Sequence, residues 1–336
     1  MKIAVYGASG FTGGLAAHEL HRRGLPPVVV GRDKDRLLKV AAEVEADDVR
    51  VAGLDDEAAL ADAFKDCDAV VNCAGPFTLW GEPVVRAAIA AGAHYVDTAG
   101  EQGYVHHILT TFRGESGVTI VPAMADDGGP GDLITRLTAE RLGSVSADLL
   151  IADLRHPGVA SRGTARSMAA VGAKNPLEFA DGDWRPVKTD IRTTLAVPGE
   201  EGEVAVCGFP LPGVATAPRH VQARRVRSVM REEMMELFLS LNADVAESLP
   251  EVPDAEQRAV GNWLMLAQAT DGDGRQARGW VTGPDAYGLT AVIAVEGARR
   301  LAEDGAPSGA RTPAEAFDPT DFLRFLEPFG VTWQVK

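Results

Sequence analysis

The run Gly7-Ala8-Ser9-Gly10-Phe11-Thr12-Gly13 constrains this chain more than any other feature. It follows the apolar stretch Ile3–Tyr6 without a break and leads straight into an amphipathic segment of helical length. A glycine at the strand end permits a tight turn, Gly10 lets backbone approach a diphosphate, and Gly13 allows close helix packing. Free N–H groups at such a helix start attract the anion. The spacing is GxxGxxG rather than the commoner GxGxxG, and glycine-rich turns also serve ordinary loops, so the surrounding pattern must carry the reading.

That pattern is present. From Lys2 to about Leu142, short apolar runs alternate with helix-length segments, the mark of βαβ units and a parallel sheet. The expected strands are Ile3–Tyr6, Val28–Val30, Val49–Ala52, Ala69–Asn72, His94–Asp97 and Val118–Val121. Six strands with intervening helices make a doubly wound Rossmann sheet.

The character changes after Gly143. Asp148–Asp153, Val204–Cys207 and Trp263–Thr270 read as longer strands of a separate, largely antiparallel sheet, interrupted by loops near Pro157, Pro198 and Pro210–Gly213. The Asp-Gly steps between Thr270 and Trp280 predict a hairpin turn. A calcium loop would need a downstream glutamate that is missing there, so no metal is assigned. Beyond Pro284, Leu289, Val292, Ile293, Val295 and Leu301 keep helical spacing and Gly305 supplies a stop. The expectation is a Rossmann domain over 1–143, an α+β substrate and dimerisation domain over 144–283, and C-terminal helices over 284–336 that return to the first domain.

Composition narrows the function classes. The chain has 336 residues, 46% apolar and 24% charged, which suits two globular domains and argues against disorder. With 33 basic against 48 acidic residues, the formal charge of −15 repels nucleic acid and anionic membranes. Cys67, Cys73 and Cys207 are widely separated and form no CxxC pair, so neither a disulfide framework nor zinc is suggested and a cytoplasmic setting is expected. The opening MKIAVYG lacks the apolar core of a secretory signal, and nowhere do ~18 apolar residues follow one another.

Cofactor choice is read at the end of the second strand, where an acidic residue would bond the NAD ribose. Here stands Arg32, able to pair with a 2′-phosphate, with Lys34 and Arg36 close behind. NADP is favoured, while Asp33 keeps NAD open. Ligands in such sheets bind beyond the carboxyl ends of the strands. Those ends carry Asp55, expected at the adenine; Ala74, Gly75, Pro76 and Phe77, expected at ribose and nicotinamide; Asp97 to Glu101, with Gly100 among the cofactor contacts; and Asp126 with Asp127.

Taken together, GASGFTG, NCAGPFTLWGEPVVRAAIAAGAHYVDTAGE and GPDAYGLTAVIAVEGARRL resemble the saccharopine dehydrogenase-like oxidoreductases, nearer the branch with trans-acting enoyl reductases. The resemblance is strongest over 1–142 and 279–317. It implies an NADP-binding domain, an inserted α/β domain, a C-terminal helix returning to the first domain, a homodimer through the second sheet, and a loop Ser161-Arg162-Gly163-Thr164 near the nicotinamide. Arg162 and the paired Asp126-Asp127 depart from the pattern of relatives.

Reduction by NADPH delivers hydride to an electron-poor carbon, and the adjoining atom must then be protonated. None of Tyr6, Tyr95, Tyr104 and Tyr287 begins a Tyr-x-x-x-Lys pair, and neither HExxH nor a nucleophile elbow occurs. Candidate proton donors are Asp126, Asp127, Tyr104, Thr164 and His220, with helix capping the plainer role for Asp127 and packing or surface exposure the plainer role for His106-His107. The basic stretch Arg219–Arg227 suits an anionic small-molecule substrate or a solvated strand face. The expected activity is reduction of a C=C or C=N bond in biosynthesis; an NADP-binding sensor or scaffold without chemistry and a saccharopine-type adduct dehydrogenase stay open.

Overall fold

The computed structural model describes residues 1–336 apart from positions 115, 144–145, 159, 171–175, 189, 242, 251, 254–255, 257 and 259–260. The chain forms two compact units. One comprises Met1–Ala99, His107–Ala125 and Tyr287–Arg311; the other comprises Gly100–His106, Asp126–Ala286 and Thr312–Lys336.

The first unit is built on a parallel sheet of β1 (Ile3–Tyr6), β2 (Pro27–Gly31), β3 (Asp48–Val51), β4 (Ala69–Asn72), β5 (His94–Asp97), β6 (Thr119–Val121) and a two-residue strand, Gly309–Ala310. Its spatial order is Gly309–Ala310, β6, β5, β4, β1, β2, β3, so the winding reverses between β1 and β4. Val5 lies between Val29 and Val71 in register, and β1, β2 and β4 are buried along their whole length. Burial on both faces is why these strands read as unbroken Val/Ile/Ala runs. Helices α1 (Phe11–Arg22), α2 (Lys34–Glu43), α3 (Glu57–Phe64), α4 (Phe77–Ala91) and α5 (Gln102–Thr111) follow the first five strands in turn.

The helix Ala286–Asp304 belongs to this unit from Tyr287 onward. Its Glu296 is fully buried and meets Arg23, just past the end of α1, at 2.6 Å, Arg299 at 2.8 Å and Arg300 at 2.7 Å. Among the described residues, no helix is long and apolar enough to cross a membrane.

The second unit holds a mixed sheet. Helix α6 (Gly129–Glu140) precedes β7 (Ser146–Asp153), α7 (Arg162–Ala170), β8 (Leu177–Ala180), β9 (Asp183–Pro186), β10 (Arg192–Ala196), β11 (Glu203–Gly208), β12 (Ala223–Arg231), β13 (Asn262–Thr270) and β14 (Gln276–Pro284). The order is β10, β11, β12, β7, β13, β14 and the C-terminal strand Thr332–Val335, with β8 and β9 branching from β12. Only the β7–β12 pair is parallel along this path. The three strands expected here lie within β7, β11 and β13, and β13 and β14 form the expected hairpin. Asp271 closes it, its Oδ1 accepting from Asp273 N at 3.0 Å and Arg275 N at 2.9 Å.

Two segments lie differently from expectation. The sequence puts helix α6 in the domain over 1–143, yet it packs on β13 and β14, because Gly131 admits Met265 and the bare Cα of Gly279 admits Thr138. It also sends the tail 312–336 to the first domain; instead Thr332–Val335 extends the second sheet beside β14 and Pro319–Leu326 packs on α6. The anticipated boundary at 144 falls outside the described residues.

Candidate functional site

The glycine turn has the shape that a diphosphate cradle requires. Gly7 takes φ +79°, a conformation that side chains resist, and its N–H donates to Val30 O at 2.9 Å. A Cβ on Gly13 would overlap Gly7 O and lie 2.7 Å from Gly7 C and 2.9 Å from Ala8 Cα, so α1 starts flush against the turn only because Gly13 has none. A Cβ on Gly7 would come 3.1 Å from Ala74 Cβ, which locks the loop after β4 beside it. Helix α1, with Gly10 at its N-cap, has no side-chain cap and no acid in its first turn, whereas Asp33 and Asp56 cap α2 and α3. Phe11 meets Tyr287 edge to face at 5.3 Å. The residues present thus fit a dinucleotide diphosphate.

At the end of β2, Arg32 is exposed, while Asp33 is committed to its own helix: its Oδ1 accepts from Arg36 N at 3.1 Å. The Arg36 guanidinium turns back to Ser9 O at 3.0 Å and braces the glycine turn. An aspartate occupied as a helix cap is poorly free to bond a ribose, which fits a 2′-phosphate at Arg32. Asp55 folds its carboxylate over Gly53 after β3.

Beyond β4, β5 and β6 a buried chain of hydrogen bonds joins the loops. Asn72 Oδ1 accepts from Ala74 N at 3.0 Å, and Asn72 Nδ2 donates to the Tyr95 hydroxyl at 2.9 Å. That hydroxyl donates to Asp97 Oδ2 at 3.0 Å, while Asp97 Oδ1 accepts from Ala99 N at 3.1 Å and Ala123 N at 2.9 Å. Ala123 is held at φ +62°, an unusual conformation for alanine. Gly75 and Pro76 lead into α4, whose first residue, Phe77, is 7% exposed. Burial pushes the neighbouring Cys73 thiol up to about 12, partly opposed by a bond to Thr98, so it is no thiolate nucleophile.

The second unit gathers charge around one guanidinium. Arg155 Nε contacts Asp153 Oδ2 at 2.7 Å and its Nη1 lies 2.8 Å from Asp126 Oδ2. Asp127 stands beside them, partly buried, and a Cβ on Gly100 would lie 2.8 Å from its Oδ2. Burial, reinforced by the charge of Asp126 and opposed by Arg155, pushes the Asp127 carboxyl up to about 7. Gly100 therefore makes room for this acid, and Asp127 is not the side-chain cap of α6, whose N-cap position is Gly128 and which has no side-chain cap. Asp153 and Arg155 escape a reading of the sequence, since a strand end and a loop arginine carry no spacing signal.

The remaining candidates are placed in packing. Tyr104 is 3% exposed. The Ser161 hydroxyl accepts from Thr164 N at 3.1 Å and meets the Thr164 hydroxyl at 3.0 Å, so the expected loop is a helix start for α7. Arg162 bonds Leu249 O at 2.8 Å. His220 Nε2 lies 2.7 Å from Asp132 Oδ1, and Asp132 Oδ2 accepts from Ala314 N at 2.9 Å, a buried tie between three segments. His106 packs on Trp184 at 4.9 Å and His107 pairs with Glu82 at 2.6 Å. In the basic stretch, Arg219 faces Glu315 and Arg224 faces Asp148.

Comparison with known proteins bears on both units. Residues 3–121 match the saccharopine dehydrogenase NADP binding domain. A lipid droplet localized protein of Caenorhabditis elegans is 34% identical over 146 residues, 39% of this chain and 34% of its own length. The human saccharopine dehydrogenase-like oxidoreductase is 30% identical over 152 residues, 39% and 35% of the two chains. A provisionally named trans-acting enoyl reductase of Mycobacterium tuberculosis is 32% identical over 140 residues, 39% and 33%. Each alignment thus spans about a third of the relative's own length. Among solved structures, saccharopine dehydrogenase (L-Glu forming) from Saccharomyces cerevisiae aligns with 100% of this chain and 99% of its own, with a TM-score of 0.62 at 13% identity, which shows a shared fold. Residues 3–121 thus match the saccharopine dehydrogenase NADP-binding domain, on a chain that shares the fold of that yeast enzyme.

Proposed function

We propose that the protein is an NADPH-dependent reductase of a C=C or C=N bond in a small-molecule substrate, with Asp127 holding the proton that completes the reduction. The observation that carries this reading is the cluster of Asp126, Asp127 and Asp153 around Arg155, which follows β6 of an NADP-binding domain along the chain. Bound NADPH supplies a hydride to an electron-poor carbon. Burial and the neighbouring charge of Asp126 raise the Asp127 carboxyl, so that this acid holds the proton. A carboxylic acid titrating near the working pH is suited to general acid catalysis.

The test has two stages. NADPH and NADH are titrated by fluorescence; micromolar binding of NADPH, tighter than NADH, is expected, and absence of binding by either refutes the reading. NADPH oxidation is then followed with an imine, an enone and an enoyl thioester. Turnover of one of them, lost in Asp127→Asn, supports the assignment. Binding without turnover of any probe marks a sensor or scaffold, and turnover confined to an amino-acid adduct marks a saccharopine-type dehydrogenase.

A further inference from the structure

The buried chain Asn72–Tyr95–Asp97 joins two adjacent strands, with Asn72 from β4 and the other two from β5, and ends on backbone amides beyond β4, β5 and β6. All three side chains are fully buried. A buried polar network in a sheet otherwise packed with Val, Ile and Ala is expensive unless every partner is satisfied, and it specifies one arrangement when it is. Its outputs are not strand bonds: Ala74 N, Ala99 N and Ala123 N all belong to loops at the carboxyl ends, where ligands of such sheets bind. Backbone bonds from Thr98 N to Asn72 O at 3.2 Å and from Met124 N to Asp97 O at 2.7 Å run alongside it. The φ of +62° at Ala123 is maintained against its intrinsic preference, as expected of a position that its surroundings over-determine.

The strand order gives this network a direction. Winding reverses between β1 and β4, so β1, β2 and β3 carry the half of the site with the glycine turn and Arg32, and β4, β5 and β6 carry the other half. The two halves of a doubly wound sheet each hold one mononucleotide. We infer that Asn72, Tyr95 and Asp97 are positioning residues that set the loops of the second mononucleotide half, so that this relay governs how tightly the nicotinamide end of NADP is held while the adenine end is held independently of it. The inference rests on the reading of this unit as an NADP site.

Tyr95→Phe removes one hydroxyl and breaks the relay at its middle, leaving Asn72 Nδ2 and Asp97 Oδ2 each without that partner. Two ligands separate the halves: NADPH, and adenosine 2′,5′-bisphosphate, which has the adenine, ribose and 2′-phosphate without the nicotinamide. Binding of both is measured by calorimetry on the full chain, with thermal melting to verify folding. The expected result is a loss of about tenfold or more in NADPH affinity, about 1.4 kcal/mol, with the bisphosphate affinity kept within about twofold. Asp97→Asn keeps the shape and an acceptor oxygen for the amides and should lose less than Asp97→Ala; it is read in the same way if Tyr95→Phe does not fold. Equal weakening of both ligands, or weakening of neither, overturns the inference. Failure of the unaltered protein to bind NADPH overturns instead the reading on which it rests.

Discussion

The substitution Asp127→Asn should make the protein more stable in alkali while removing the proposed acid. The Asp127 carboxyl is raised from the ordinary 3.8 to about 7, first by burial and then by the charge of Asp126. The folded protein therefore holds a proton that the unfolded chain releases, and stability falls as pH rises from about 4 to about 7, with the penalty fully present above that window. The rise from 3.8 to about 7 sets an upper limit of about 4 kcal/mol. Partial exposure and the nearby Arg155 reduce the expected figure to about 1–3 kcal/mol. The amide in the variant has no charge to bury, so the penalty disappears. Melting temperatures of parent and variant are compared from pH 4 to pH 8.5: the curves should meet near pH 4 and separate above it, with the variant higher by roughly 2–6 °C at pH 8. Over the same range the parent's rate of NADPH oxidation should fall as pH rises through about 7, and kcat should drop by about 10²–10⁴ in the variant. Parallel melting profiles would show that the acid is not raised and would remove the basis of its assignment.

Three other perturbations probe the first unit. Gly13→Ala drives a Cβ into Gly7 O and the turn backbone, so NADPH affinity measured by fluorescence should fall by about 100-fold or more, roughly 2.7 kcal/mol. Arg32→Ala should weaken NADPH by about 10-fold to 100-fold and leave NADH within about twofold, measured by titration of both; equal losses would move the 2′-phosphate contact elsewhere. Glu296→Gln removes the charge that three guanidiniums share in a buried site, and denaturant unfolding should register a loss of about 3–5 kcal/mol with NADPH affinity unchanged.

How much of this is legible in the residues follows from the range of each interaction. Strands β1, β2 and β4 announce themselves because both faces are buried, and the glycine turn lies against its own strand. The strand Gly309–Ala310 is too short to have a period. Helix α6 shows apolar residues such as Leu133 and Ile134, but a helix face does not reveal what covers it, and its partner is the hairpin of β13 and β14. Beside the preference for NADP, the sequence leaves Asp33 ambiguous, and the structure resolves it by placing its carboxylate as the cap of α2. Phe11 and Tyr287 stand 276 positions apart, so no local pattern links them. Tyr104 and Thr164 look like free hydroxyls in the sequence, and only packing shows one buried and the other at a helix start.

The acid cluster shows why residue type alone could not choose between Asp126 and Asp127. Three carboxylates share one guanidinium, a formal charge of −2 when all are ionised, and like charges confined together resist full ionisation. Arg155 reaches Asp153 through Nε and Asp126 through Nη1, leaving Asp127 with burial and repulsion as its dominant surroundings. Gly100 then matters for its missing side chain, since a Cβ 2.8 Å from Asp127 Oδ2 would displace the carboxyl from that setting. The guanidinium 2.8 Å from Asp126 comes from 28 positions beyond Asp127, a proximity that no local pattern in the sequence announces.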